Sequence, residues 1–125
     1  MTLSRKKQYR KDLNVYERWA ETTIKRHRKR GMAVELELYE LAELARKTTH
    51  CPICGVQFTW DFTKWDHDNP NLPTLDRNDN ERVLHSRNIM ILCKRCNGLK
   101  ANLTLAEMAE WCLQYLRFYT RRRRW

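Results

Sequence analysis

The sequence predicts an α+β fold: a small core of two short strands and one helix, closed by a four-cysteine zinc site and flanked by helices at both ends. Three observations support this prediction. Two C-x-x-C pairs are separated by a segment of 38 residues, 55–92. Short apolar runs bounded by turn residues lie between these pairs and predict strands. On either side of the pairs, apolar residues recur at the three- and four-residue spacing of amphipathic helices.

The length of 125 residues indicates a single domain with three parts. We expect a basic helical extension over 1–47, a zinc-stapled core over 48–103, and a C-terminal helix with an arginine-rich tail over 104–125. No run of about 18 apolar residues predicts a membrane span. The charged N-terminus is not followed by the apolar segment of a secretory signal. We therefore expect a cytoplasmic protein with no membrane partner.

Charge is the strongest signal in the composition. The chain has 25 Lys and Arg against 15 Asp and Glu, a formal net charge of +10. This excess predicts attraction to polyanions such as DNA, although a solvated basic surface is the simpler alternative. The residues expected to contact phosphates are Arg26, Lys29, Arg30, Arg77, Lys100, Arg121, Arg122, Arg123 and Arg124.

Two helices are predicted before the cysteines. Residues 1–31 hold eleven Lys and Arg and three acids, and their apolar spacing predicts a basic helix over about 12–29 that stops at Gly31. A second helix is predicted over about 37–47, after an extended stretch at Val34–Leu36. Its glutamates are expected to form a solvated face.

A further helix is predicted after the core. Thr104 and Glu107 have the spacing of a capping box at its start. Cys112 lies in the apolar stripe that follows, so we expect it to be a buried core thiol. The tail ends in four arginines and Trp125, which could clamp a phosphate backbone.

The two C-x-x-C pairs are Cys51 with Cys54 and Cys93 with Cys96. Two intervening residues let both sulfurs of a pair point at one metal, and four thiolates complete the closed tetrahedron of a structural zinc. A redox dithiol is the alternative for a single C-x-x-C, but two pairs in one small domain favour Zn²⁺. Five cysteines also argue against a simple disulfide framework.

The segment between the pairs predicts a second kind of site. Pro73 to Arg77 reads as a strand that presents Asp76, and Asn88 to Leu92 reads as a strand that runs into Cys93. Lys94 to Lys100 then begins a helix that carries Asn97. A carboxylate and an amide oxygen brought together are hard ligands suited to Mg²⁺ or Mn²⁺ rather than zinc.

The motifs C-P-x-C-G, N-P-x-x-P-T-L-D-R-x-D-N, R-N-I-x-I-L-C-x-R-C-N-x-L-K and L-T-L-x-E together resemble the HNH endonucleases of phages and mobile elements. The similarity is to a small phage branch with an L-D-R motif and four zinc cysteines, and it covers about residues 38–118. It implies a ββα-metal core in which Asp76 and Asn97 hold the catalytic cation and Asn88 positions the loop or the general base. It also implies phosphodiester hydrolysis that leaves a 5′ phosphate.

This sequence departs from the commoner HNH pattern at one position. That pattern has Asp-His at the end of the first strand, whereas here Asp76 is followed by Arg77, which cannot act as a base at neutral pH. Arg77 is instead expected to hold a phosphate. The general base could be His85, His67 or a metal-bound hydroxide, and a register in which Asp66 and His67 form the Asp-His pair is the alternative.

Two functions therefore remain open from the sequence. The first is a metal-dependent DNA endonuclease that nicks one strand or cuts both, acting as a monomer or a weak dimer. The second is a non-catalytic zinc-containing module that binds nucleic acid with the same basic surface. Two hard ligands beside a helix favour the nuclease, and the missing Asp-His histidine favours the module.

Overall fold

The computed structural model describes residues 13–60, 69–79 and 83–122. In chain order the elements are α1 (Val15–Lys29), α2 (Leu38–Lys47), β1 (Pro73–Arg77), β2 (Ile89–Cys93), α3 (Lys94–Lys100) and α4 (Leu105–Arg122). The chain is thus a small α+β domain with a two-stranded antiparallel sheet. Some residues with predicted roles lie outside the described residues, namely Asp66, His67, Arg123, Arg124 and Trp125.

The first helix begins slightly later than the predicted residue 12. Asn14 is its N-cap, because the side-chain oxygen of Asn14 accepts a hydrogen bond from the backbone N–H of Glu17 at 2.9 Å. The Glu17 carboxylate in turn accepts from the Asn14 amide at 2.7 Å. Gly31 follows the helix with φ +82°, a left-handed conformation that glycine adopts without strain, so the predicted stop is confirmed.

The extended stretch before α2 is also confirmed, and it has a structural partner. Val34 forms a parallel bridge with Leu84, in the connection between the two strands. The backbone N–H of Glu35 donates to Leu84 O at 2.8 Å, and Leu84 N donates to Ala33 O at 3.0 Å. Leu84 is fully buried. This bridge anchors the β1–β2 connection to the helical N-terminal part.

β1 has the predicted bounds, and β2 begins and ends one residue later than predicted. Pro73 is paired to Cys93 and Arg77 to Ile89. Successive side chains of a strand point to opposite faces. Leu75 therefore points into the hydrophobic core, whereas Thr74 and Asp76 share the other face, which contacts α3.

The core forms where α1 and α2 pack together over the sheet. Its central side chains are Trp19, Ala20, Ile24, Leu41, Ala45, Phe58, Leu84, Ile91 and Leu92. Trp19 also links α1 to the sheet, because its indole N–H donates to the carbonyl of Pro73 at 3.3 Å. Trp60 extends the core with edge-to-face contacts to Tyr16 and Trp19.

The predicted start of α4 is confirmed, but the predicted burial of Cys112 is wrong. The capping box is confirmed, since Thr104 and Glu107 exchange two hydrogen bonds of 3.1 Å. Cys112, however, is exposed, and no residue of α4 is buried. Helical spacing identifies an apolar stripe but does not say whether the rest of the chain covers it. Within the described residues, no helix is long and apolar enough to cross a membrane.

Candidate metal centre

The first C-x-x-C pair lies on a tight backbone turn, and the second lies where β2 passes into α3. Cys51 and Cys54 occupy a turn closed by hydrogen bonds from Cys51 N to Val56 O and from Gly55 N to Cys51 O, both 2.8 Å. Gly55 has φ +78°, so a glycine at this position lets the turn close without strain. Cys93 ends β2 and caps α3, because its sulfur accepts a hydrogen bond from Cys96 N.

The fold brings the four sulfurs together. They all lie within 4.8 Å of one another, and the Sγ atoms of Cys54 and Cys93 are 3.7 Å apart. A disulfide has a sulfur separation of about 2.0 Å. Bonds of about 2.3 Å to a tetrahedral zinc imply sulfur separations of about 3.8 Å. The four cysteines could therefore hold a structural metal such as zinc.

The thiols of this cluster differ in acidity. Hydrogen bonding from the backbone N–H of Val56 lowers the pKa of Cys54 to about 6. Burial raises the pKa of Cys96, and the neighbouring cysteine sulfurs raise it further. The pKa of Arg95 is raised mainly by its hydrogen bond to Cys54, so this arginine supports a thiolate there. Four adjacent thiolates repel one another, and a divalent cation would supply the missing positive charge.

A second constellation lies between β1 and α3. Asn97 and Lys100 are three residues apart on α3, so both face β1. The Asn97 amide nitrogen donates to Thr74 Oγ1 at 2.9 Å, and the Lys100 ammonium lies 2.7 Å from Asp76 Oδ2. The strand and the helix thus meet through two polar pairs, side by side.

The orientation of the Asn97 amide follows from hydrogen-bond counting. A threonine hydroxyl has one proton, and Thr74 gives it to the carbonyl of Leu92 at 2.8 Å. Thr74 Oγ1 can therefore only accept from Asn97, so the amide NH₂ must face Thr74. The carbonyl oxygen of Asn97 is then turned away from Thr74, where it can act as a ligand.

Lys100 corrects a sequence prediction. We expected it on the surface that contacts phosphates, but its side chain is 0% exposed. Its ammonium donates to the carbonyl of Arg77 at 3.2 Å and forms an ion pair with Asp76. Asp76 is also buried, and its Oδ2 atom has no partner with hydrogen-bond geometry among the described residues. The contact with Lys100 at Oδ2 is therefore one of charge.

Asn88 holds the connection between the strands. Its side-chain oxygen accepts from Asp79 N at 2.9 Å, and its amide donates to Asp79 O at 3.1 Å and to Val83 O at 3.4 Å. Its backbone carbonyl also accepts from Asn78 N at 3.1 Å. Asn88 is buried, so these bonds are shielded from water and fix both ends of the connection.

His85 lies in the same connection and is half-buried. Its Nδ1 atom accepts a hydrogen bond from the backbone N–H of Arg87 at 3.1 Å. The neutral ring therefore carries its proton on Nε2. Because a general base must offer an unprotonated nitrogen, His85 could accept a proton only at Nδ1, after the bond to Arg87 is lost.

The remaining predicted phosphate contacts occupy two separate regions. Arg26, Lys29 and Arg30 are exposed at the C-terminal end of α1. Arg121 and Arg122 are exposed in the last turn of α4, and the guanidinium of Arg122 lies 5.9 Å from the centre of the Phe118 ring. Arg77 is half-buried at the end of β1.

Two side chains of this site, Thr74 and Lys100, were not assigned these roles from the sequence. A signal for them does exist. Thr74 is two residues from Asp76 on a strand, and Lys100 is three residues from Asn97 on a helix, so each shares a face with a predicted ligand.

Comparison with known proteins identifies no relative, because no protein-family model, curated protein or solved structure matches this chain.

We expect Cys96→Ser to lower the zinc content from about one ion per chain to much less, since it removes one of four ligands. The measurement is metal analysis of protein purified without chelator. Cys112→Ser is the matched control, because Cys112 is exposed and lies outside the cluster. Full zinc occupancy in Cys96→Ser would contradict the assignment.

We expect Lys100→Met to lower the free energy of unfolding by about 3–5 kcal/mol, because it leaves the buried Asp76 carboxylate without its cation. The double variant Asp76→Asn/Lys100→Met removes both charges and should recover much of this loss. Urea unfolding at one fixed zinc concentration measures both. A Lys100→Met variant as stable as the wild type would show that the Asp76 carboxylate does not require Lys100 beside it.

Proposed function

We propose that this chain is a metal-dependent DNA endonuclease of the HNH type. One observation carries the proposal: Asp76 on β1 and Asn97 on α3 both lie at the interface between this strand and this helix. The helix α3 begins at the cysteine cluster. The order strand, strand, helix supports the ββα-metal arrangement that the sequence motifs imply. The arrangement of these side chains agrees with the resemblance in motifs.

The chemistry of these side chains fits a hard divalent cation such as Mg²⁺ or Mn²⁺. Asp76 offers a carboxylate, and the hydrogen bond from Asn97 to Thr74 turns the amide oxygen of Asn97 away from Thr74. Lys100 already balances the charge of Asp76, so we expect cation binding to be weak, with about millimolar affinity. When bound, the cation would stabilise negative charge on the scissile phosphate and the leaving 3′ oxygen.

The protein's own residues would orient the substrate around this centre. Arg77 follows Asp76 and can hold a phosphate oxygen with its planar guanidinium. Asn88 fixes the connection that carries His85. His85 is a candidate general base that would have to give up its bond to Arg87 N, and His67 is the alternative histidine.

DNA binding would rest on the exposed basic groups. Arg26, Lys29 and Arg30 cluster at one end of α1, and Arg121 and Arg122 lie at the end of α4. Phosphate contacts of this kind release counterions, so binding should weaken steeply as salt is raised. The net charge of +10 supports the same expectation.

A non-catalytic zinc-containing module that binds nucleic acid is the second candidate. The ion pair between Lys100 and Asp76 favours it, because a neutralised carboxylate attracts a metal less strongly than a free one. Such a module would use the cysteine cluster and the basic surface but would not cleave.

We expect the purified chain to nick supercoiled plasmid in the presence of Mg²⁺ or Mn²⁺, and Asn97→Ala to reduce the rate about 100-fold by removing a ligand. Gln114→Ala, which also replaces an amide side chain by alanine but on the exposed face of α4, is the matched control and should retain activity. The ends released should carry 5′ phosphate.

Plasmid that is bound but never cut, at any concentration of either metal, would reject the nuclease and support the binding module. Gel-shift measurements on the same samples distinguish this outcome from a chain that binds no DNA. Undiminished nicking by Asn97→Ala would reject the assignment of Asn97 as a ligand.

Thr74→Val should reduce the nicking rate about tenfold or more, because the valine can neither accept from the Asn97 amide nor donate to Leu92. Thr74→Ser keeps the hydroxyl and should retain activity. A positioning role predicts a loss in kcat and a higher metal requirement, with the thermal midpoint of the two variants similar. Equal activity of Thr74→Val and Thr74→Ser would contradict this role.

A further inference from the structure

The face of α4 is an apolar surface that the described part of the chain leaves exposed. Trp111 is 53% exposed, Tyr115 60% and Leu116 59%, and Leu113, Phe118 and Tyr119 are similar. The rings of Trp111 and Tyr115 stack with centroids 5.3 Å apart, which gives this surface a defined shape. A contiguous exposed patch of large apolar side chains marks an interaction site.

The spacing of this surface suits another helix. Its central stripe follows the alternating three- and four-residue spacing by which helices pair along a seam, and it consists of Leu105, Met108, Cys112, Tyr115 and Tyr119. The opposite face is polar and repeats the same spacing, with Glu107, Glu110, Gln114, Arg117 and Arg121. The helix therefore has one side for water and one side for a partner.

We propose that α4 pairs with α4 of a second copy of this chain in an antiparallel, two-fold symmetric dimer. A two-fold axis at the helix midpoint, between Leu113 and Gln114, places Cys112 beside the partner's Tyr115 and Met108 beside the partner's Tyr119. Four of the five stripe residues then face one another, Leu105 lies beside the partner's Arg122, and each contact occurs twice, as two-fold symmetry requires.

The charges select the antiparallel direction. Arg122 lies seven residues after Tyr115, so it continues the stripe at the C-terminal end of α4. Parallel pairing would place the two Arg122 guanidinium groups side by side, where they would repel. Antiparallel pairing separates them, and the helix dipoles then oppose each other favourably.

The area is adequate for a reversible dimer. The half-exposed aromatic rings and leucines offer about 600 Å² per chain, or about 1,200 Å² for the pair, which is the lower limit of standard interfaces. A dissociation constant of about micromolar order is expected for such a small interface. This proposal does not depend on cleavage of DNA.

The test is sedimentation equilibrium of the full chain with bound zinc, at concentrations up to about 100 μM, well above the expected dissociation constant. We expect a monomer–dimer equilibrium in the wild type. Tyr115→Glu and Leu116→Glu should each raise the dissociation constant at least about tenfold. Gln114→Ala, on the polar face, should leave it unchanged, and equal thermal midpoints would show that all variants fold.

The direction is tested by disulfide cross-linking of zinc-bound variants in a Cys112→Ser background. In the antiparallel dimer Met108→Cys/Tyr119→Cys should cross-link, because the two positions lie side by side, and Met108→Cys alone should not. A parallel dimer would cross-link Met108→Cys alone, and that result would overturn the antiparallel geometry. A monomeric wild type, or a dimer insensitive to both glutamate substitutions, would overturn the proposal and leave the surface to another segment of the chain or to a different protein.

Discussion

The junction between β2 and α3 depends on the cysteine cluster, and most of the candidate site depends on that junction. Cys93 is the last residue of β2, and its sulfur caps α3 while it faces the other three sulfurs. A helix of seven residues has little stability of its own, because forming its first turn is unfavourable. A metal at the cluster would fix both the start and the direction of α3. Asn97 and Lys100 would then contact β1 because the metal keeps α3 in this direction.

The ion pair between Asp76 and Lys100 is the second constraint on that geometry. Removing two charges from water is costly, so such a pair contributes little net stability and is better understood as a device that specifies one arrangement. Asp76 can be buried only if Lys100 is beside it, and this requirement selects one rotation of α3 against β1. In that rotation Asn97 contacts Thr74.

Local patterns in the sequence predicted most of the elements, and long-range packing decided what they missed. The spacing of the cysteines, the glycine after α1 and the apolar runs at the strands each depend on neighbouring residues only. The burial of Lys100 depends on a carboxylate 24 residues earlier in the chain, and lysine is almost never buried without such a partner. Cys112 was misjudged because the periodicity of α4 indicates an apolar face but not its covering. The orientation of Asn97 likewise required knowledge of the bond from Thr74 to Leu92.

The two proposed surfaces should respond to salt in opposite directions, and this follows from the charge of the chain. Contacts between arginines and phosphates weaken as salt rises, because fewer counterions are released favourably. Two copies that each carry +10 repel each other, and salt screens that repulsion over distances of about 10 Å or more. The apolar stripe of α4 is not weakened by screening. Raising the salt should therefore favour dimerisation of the free chain while it releases DNA. Bound DNA would neutralise the same positive charges, so dimerisation and DNA binding could occur together.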